Sequence, residues 1–242
     1  MINVEVCIDN IESLFTAQNA GANRIELCSS LALGGLTPSV GLITQVMKYT
    51  KIPVYTMIRP RDGDFLYSSD EIEMMLAEIH AVQKLGVQGV VFGLLNEQAQ
   101  IESDALQTLM NASKGLGVTF HRAIDCCVDA ELAIDTILSA GCERVLTSGL
   151  MSTAELGADY IKAMVEQSSG RLSIMAGAGI SANNVAGIVR MSGVQEVHLS
   201  GKVSRSSQMK IIENCGYLPE FMKINVTGGD KIEAVKQALQ DF

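Results

Sequence analysis

Short apolar runs rich in β-branched residues recur along the chain, about 20 to 36 residues apart: Asn3–Cys7, Arg24–Cys28, Pro53–Arg59, Gly89–Phe92, Gly117–His121, Arg144–Thr147, Leu172–Ala176 and Gln195–Leu199. Each has the length of a strand buried on both faces of a parallel sheet. The stretches between them carry helical periodicity and helical punctuation. In Ser69–Lys84 acids crowd the first turn, Ile72, Met75, Leu76 and Ile79 form one apolar face, and Gly86 follows as a stop. Thr37-Pro38 reads as an N-cap with proline in the first helical position. Asp129, Ser152 and Ser181 read as caps of later helices, and Ile232, Val235, Ala238 and Leu239 stripe the last one.

Eight strands, each followed by a helix, is the count that closes a (β/α)8 TIM barrel. The expected fold is therefore α/β, one barrel domain over residues 1–242. An open doubly wound sheet is the alternative, but it seldom needs eight equal units, and no GxGxxG follows the first strand. One connection is long: Gly201 to Gly228, after strand eight, is expected to carry a short extra helix over the barrel mouth or a subunit contact.

Composition narrows the partners. The 242 residues are 48% apolar and 19% charged, unlike a disordered chain and enough to bury a full core. A net charge of −9 gives no general attraction for nucleic acid or anionic lipid, so neither is an expected partner. A local basic pocket remains compatible with a small anionic ligand. Met1 to Glu12 has no lysine or arginine and no secretory apolar stretch. No uncharged apolar run approaches the ~18 residues of a membrane span. The expected location is the reducing cytoplasm, with Cys7, Cys28, Cys126, Cys127, Cys142 and Cys215 as thiols, since they form no CxxC pair or compact framework.

In such barrels chemistry sits at the carboxyl ends of the strands, and a charged residue within a strand is expected to point inward. By the period of two, strand one supplies Glu5 and Cys7, and strand two Glu26 and Cys28. Strand three ends in Arg59 and Arg61; strand five in Thr119 and His121, then Arg122 and Asp125; strand eight in Glu196, His198 and Ser200. Loops Gly177-Ala178-Gly179 and Ser200-Gly201-Lys202 follow strands seven and eight, where barrels bind phosphate on backbone amides. Each residue also has a structural role open to it. Cys7 and Cys28 could be small core residues. Glu5 and Glu26 could pair with Arg24, Arg59 or Arg61, because buried charges need partners. Glycine after a strand is often only a turn, and Cys126-Cys127 reads as loop or helix start.

At these residues the chain resembles a known family. EVC, RIELC with GGLTPSVGLI, IRPRDGDFLYS, VVFG, VTFHRAID, RVLTSG, MAGAGI and EVHLSG occur in this order, over about residues 1–201. They closely resemble the copper homeostasis protein CutC family. The resemblance implies a cytosolic (β/α)8 barrel, a homodimer or higher homo-oligomer, assigned to copper tolerance and Cu(I) binding. It places the proposed metal ligands on Cys7 and Cys28. Soft Cu(I) prefers thiolate to carboxylate or water. Adjacent strands lie ~4.8 Å apart, a spacing at which two thiolates could share one ion. Neighbouring barrel strands feed different side-chain layers, however, so equal height is not assured. Asp62 stands where the family motif more often has glycine, Ile124 where it has phenylalanine, and little carries over after Lys202.

A second function stays open beside copper: a barrel enzyme acting as an acid–base lyase, isomerase or hydrolase on a small anionic, possibly phosphorylated, substrate. Its residues would be Glu26, His121 and His198 as proton carriers. Arg59, Arg61, Arg122, Gly177, Gly179 and Ser200 would bind the anion. A Schiff-base route is disfavoured, because no lysine lies within a strand.

Overall fold

The computed structural model describes residues 1–210 and 222–242. Eight strands, β1 (Asn3–Ile8), β2 (Arg24–Leu27), β3 (Val54–Met57), β4 (Gly89–Phe92), β5 (Gly117–Phe120), β6 (Arg144–Thr147), β7 (Ser173–Ala176) and β8 (Glu196–Leu199), close in chain order into a parallel barrel, β8 pairing back onto β1. Helices α1 (Ile11–Asn19), α2 (Val40–Tyr49), α3 (Ser69–Lys84), α4 (Ser103–Ala112), α5 (Ala130–Ala140), α6 (Ala158–Ser168), α7 (Val185–Ser192) and α8 (Gly229–Ala238) surround it. The fold is a TIM barrel. No helix among the described residues is long and apolar enough to cross a membrane.

Helix starts show where local chemistry departs from the reading above. α3 begins with a full capping box, Ser68 with Glu71, and Gly86 follows it at φ +81°. Asp129 caps α5 as expected. Ser39, not Thr37, caps α2. Thr37 is taken up elsewhere: its hydroxyl accepts from Arg59 N–H at 2.9 Å and donates to Glu78 at 2.7 Å. Ser152 and Ser181 cap nothing, because α6 and α7 start later, at Gly157 and Asn184.

After β8 comes an antiparallel ribbon, β9 (Lys202–Ser206) with β10 (Lys223–Thr227). Residues 211–221 of that long connection, where the expected extra helix would fall together with Cys215, lie outside the described residues.

Two cores follow from strand alternation. Val4, Val6, Ile25, Leu27, Phe92, Phe120 and Val197 face outward and pack against the helix stripes, such as Met75 and Ile79 of α3 and Ile232 and Val235 of α8. Inside the barrel a smaller apolar cluster, Cys28, Tyr55, Met57 and Val91, is surrounded by polar side chains. Gly89 and Gly117 make room for Tyr55, since a Cβ at either would lie 2.2 Å or less from its ring or hydroxyl. Register sets the heights: Glu5 pairs with Arg24 on one side and His198 on the other, and Cys7 pairs with Glu26. Cys28 therefore stands one inward position above the partner of Cys7.

Candidate functional site

The barrel interior is built on paired charges. Arg24 donates to both Glu5 and Glu196; Arg144 donates to Glu196 at 2.8 Å and to Thr119 at 3.2 Å. Both guanidiniums lie over the Tyr55 ring, at 5.2 and 5.4 Å. Glu196 also accepts from Ser173 at 2.6 Å. Every charge here is buried, and each has an opposite charge in contact, as the cost of burial demands. Burial alone would raise the pKa of Glu5, but hydrogen bonding to His198 and the charge of Arg24 overcome it and hold it at about 2.

On this floor stands a nest of donors. Glu5 Oε1 lies 2.8 Å from His198 Nδ1, so an anionic carboxylate fixes that nitrogen as the proton carrier and turns Nε2 toward the mouth. Nε2 is 3.8 Å from Glu26 Oε2. One donor atom each from Cys7, Glu26 and His198 fall within 4.8 Å of one another, the only such His, Cys, Asp and Glu group among the described residues. Cys28 is not in that group, although its Sγ reaches Glu26 Oε2 at 3.5 Å. Glu26 Oε1 is buried without a hydrogen-bond partner.

Burial pushes the Cys7 and Cys28 thiols and the Glu26 carboxyl upward, toward their neutral forms. Burial opposes charge on His198, but Cys7, Glu26 and Glu5 outweigh it and raise it well above an ordinary histidine. The arrangement suits two tasks: ligating a cation that displaces the protons of the Cys7 thiol and of His198 Nε2, or moving a proton.

The other candidates separate into two groups. Arg59 does not face an open mouth; its guanidinium donates to the carbonyls of Leu33, Gly35 and Gly63 at 2.9–3.1 Å. Arg61 is bound to Glu71 at 2.5 Å and Asp64 at 2.9 Å. Together they brace the β3–α3 loop, whose Phe65 packs under the Arg59 guanidinium and against His121, ring centroids 4.9 Å apart and planes tilted by 53°. His121 accepts from Ala123 N–H through Nδ1, and burial and nearby Arg59 lower its pKa to about 3. It lies outside the Cys7–Glu26–His198 group.

Arg122, Gly179 and Ser200 instead line a cavity of about 650 Å³, together with Cys7, His198, Lys202, Asp230 and Lys231. Arg122 is already tied to Asp125 at 2.7 Å and Ser148 at 2.8 Å. Gly177 lies below, where a Cβ would come 2.5 Å from Leu146. Sequence reasoning missed two parts of this site. Closure of the barrel brings Glu5 of β1 onto His198 of β8, which only the register reveals. The contribution of α8, through Asp230 and Lys231, carried no motif.

A TIM barrel with a buried thiol, imidazole and carboxylate converging at its carboxyl-terminal mouth is thus the class this architecture defines. The chain belongs to the CutC family, whose model matches residues 2–203. It is 53% identical to a CutC family protein of Photobacterium profundum, over 99% of both chains. It is 52% identical to one from Pasteurella multocida, over the full length of both. A solved structure of a candidate copper homeostasis protein CutC from Streptococcus agalactiae superposes with a TM-score of 0.79 at 34% identity, covering 83% of this chain and 99% of that one.

Proposed function

We propose that the protein serves copper homeostasis by holding Cu(I) at the barrel mouth, with Cys7 Sγ and His198 Nε2 as the leading donors and Cys28 as the neighbouring thiol. The observation that carries this reading is the Glu5–His198 contact: a carboxylate on Nδ1 leaves Nε2 as a ligand facing Cys7 and Glu26. Carboxylate-oriented histidine is the usual support of a metal-binding imidazole. Thiolate and imidazole are donors that Cu(I) accepts readily, and the buried position suits sequestration or sensing better than exchange with a partner. The family, with a candidate copper homeostasis protein among its solved relatives, supports the same reading.

The test is an anaerobic Cu(I) titration against a competing chelator. Cys7→Ser and His198→Gln should each lose tight stoichiometric binding, and Glu5→Gln should weaken it about 10- to 100-fold. Affinity unchanged in Cys7→Ser and Cys28→Ser alike would overturn the reading.

One observation favours a second reading. The cavity is far larger than a single ion requires, and Cys7 and His198 form one of its walls. An acid–base enzyme would use Glu26 and His198 as its proton carriers there, on a small anionic substrate.

A further inference from the structure

We propose that the Phe65 ring is a displaceable plug over a carboxylate site, and that a small carboxylate binds in its place between Arg59, Tyr67 and His121. This goes beyond both readings above. It uses none of the Cys7, Glu26 and His198 donors, and it holds whether they ligate copper or move a proton.

Arg59 is a buried cation without a counter-charge. Three arginines are buried among the described residues, and two of them, Arg24 and Arg144, contact carboxylates. Arg59 is 6% exposed, yet its guanidinium meets only the carbonyls of Leu33, Gly35 and Gly63 and the ring of Phe65, whose centroid is 5.2 Å from Cζ. Neutral carbonyls and an aromatic face compensate a buried cation less well than a carboxylate does.

Three donors around it also lack acceptors. Arg59 Nε, His121 Nε2 and Tyr67 Oη are buried with no hydrogen-bond partner among the described residues. His121 Nδ1 accepts from Ala123 N–H, so in the neutral ring Nε2 holds the proton and is a donor. Gly93, where a Cβ would lie 2.5 Å from Nδ1, lets that ring lie against the end of β4, the strand between β5 and the Arg59 strand β3. Burial and the charge of Arg59 lower the His121 pKa to about 3, the effect of a nearby cation that no anion offsets. Tyr67 is near enough that the same charge opposes the upward push of burial on its hydroxyl.

Phe65 contacts both Arg59 and His121, its ring centroid 4.9 Å from that of the imidazole. A carboxylate in the place of the ring would lie within reach of both. It accepts at about four lone-pair positions, whereas a water accepts at about two and brings no charge to Arg59. Phe65 is half-buried, in a loop whose tip, 62–64, is exposed. Its own carbonyl accepts from Leu95 N–H at 2.8 Å, so a swing of the side chain leaves the backbone anchored.

The experiment follows the histidine ring signals of the full chain by NMR at pH 7 while sodium acetate replaces sodium chloride at constant ionic strength. The His121 signals should shift and saturate, and those of His80, on α3, should stay. Arg59→Gln, which keeps a donor and removes the charge, should abolish the response. Tyr67→Phe, which removes one donor and keeps the ring, should weaken acetate about tenfold. Phe65→Ala removes the plug and should tighten acetate at least about threefold; a ring that only supports the loop would give the opposite sign. His121 signals that do not move, the outcome if an ordered water alone serves the donors, would overturn the site. Acetate affinity unchanged in Tyr67→Phe, or unchanged or weakened in Phe65→Ala, would overturn it as well.

Discussion

Replacing Glu5 by glutamine tests the charge network and the donor nest together. Glutamine keeps the shape and an acceptor for His198 but removes the negative charge from between Arg24 and His198. The fall in the Glu5 pKa from 4.5 to about 2 corresponds to about 3 kcal/mol of folded-state stabilisation at neutral pH. The side chain is 1% exposed, so solvent screening takes little from that figure. It also matches the cost of about 3–5 kcal/mol for breaking a buried ion pair by removing one partner. For a chain of this size the midpoint of thermal unfolding should fall by about 6–12 °C.

The sign of the pH dependence follows from the lowered pKa. The contribution is fully present above about 4.5 and is lost as pH falls toward 2, where the folded protein also takes up the proton. Urea unfolding at pH 7, 5, 4 and 3 should therefore show the gap between natural protein and Glu5→Gln closing through that window. A gap that is absent at pH 7, or as wide at pH 3 as at pH 7, would refute the reasoning.

Other predictions rest on separate parts of the barrel. His121, with its pKa near 3, should show constant imidazole carbon shifts between pH 7 and 4; an inflection near 6.5 would contradict its placement. Gly89→Ala should cost about 1–3 kcal/mol in urea unfolding, because its Cβ would overlap the Tyr55 ring. Part of that loss should return in the double variant with Tyr55→Leu, and strict additivity would argue against the contact. Arg59→Ala should speed amide exchange in both loops that it ties together, around 33–35 and 63–67, by freeing the carbonyls of Leu33, Gly35 and Gly63, yet leave Cu(I) binding intact.

The strands were legible because a parallel strand buried on both faces leaves an apolar run that nothing else in the chain mimics. Their starts fall within a residue of those expected, and the count of eight implies closure. Helix caps were less legible. Thr37 and Ser39 are equivalent by residue type, and what separates them is Arg59, distant in sequence, which occupies the Thr37 hydroxyl. Glu5, Glu26, Cys7 and His198 could be assigned to inward faces by the period of two, but not to heights, since the stagger of a closed barrel is a property of all eight pairings. The contacts of the arginines were hidden for another reason. A long side chain at a strand end reaches back to its own loop as easily as outward, and Arg59 and Arg61 do so.

That stagger makes the two thiols unequal, which leads to a prediction that alternation alone could not make. Cys7 is level with Glu26, shares the group with His198 and lines the cavity. Cys28 stands one inward position higher and packs with Tyr55, Met57 and Val91, so close to Gly35 that a Cβ there would lie 3.0 Å from its sulfur. Serine at position 28 would set a smaller, more polar group against those apolar side chains, with Glu26 Oε2 as its one acceptor, and should cost about 1 kcal/mol of stability. Serine at position 7 faces polar neighbours and the cavity, and should cost less. For Cu(I) the order should reverse, with Cys7→Ser weakening binding at least about tenfold more than Cys28→Ser. Urea unfolding and chelator competition on the same two variants give both orders. If Cys28→Ser were the more damaging to binding and the less damaging to folding, the donor set centred on Cys7 and His198 would be wrong, and the ion would belong between the upper thiol and the loops above it.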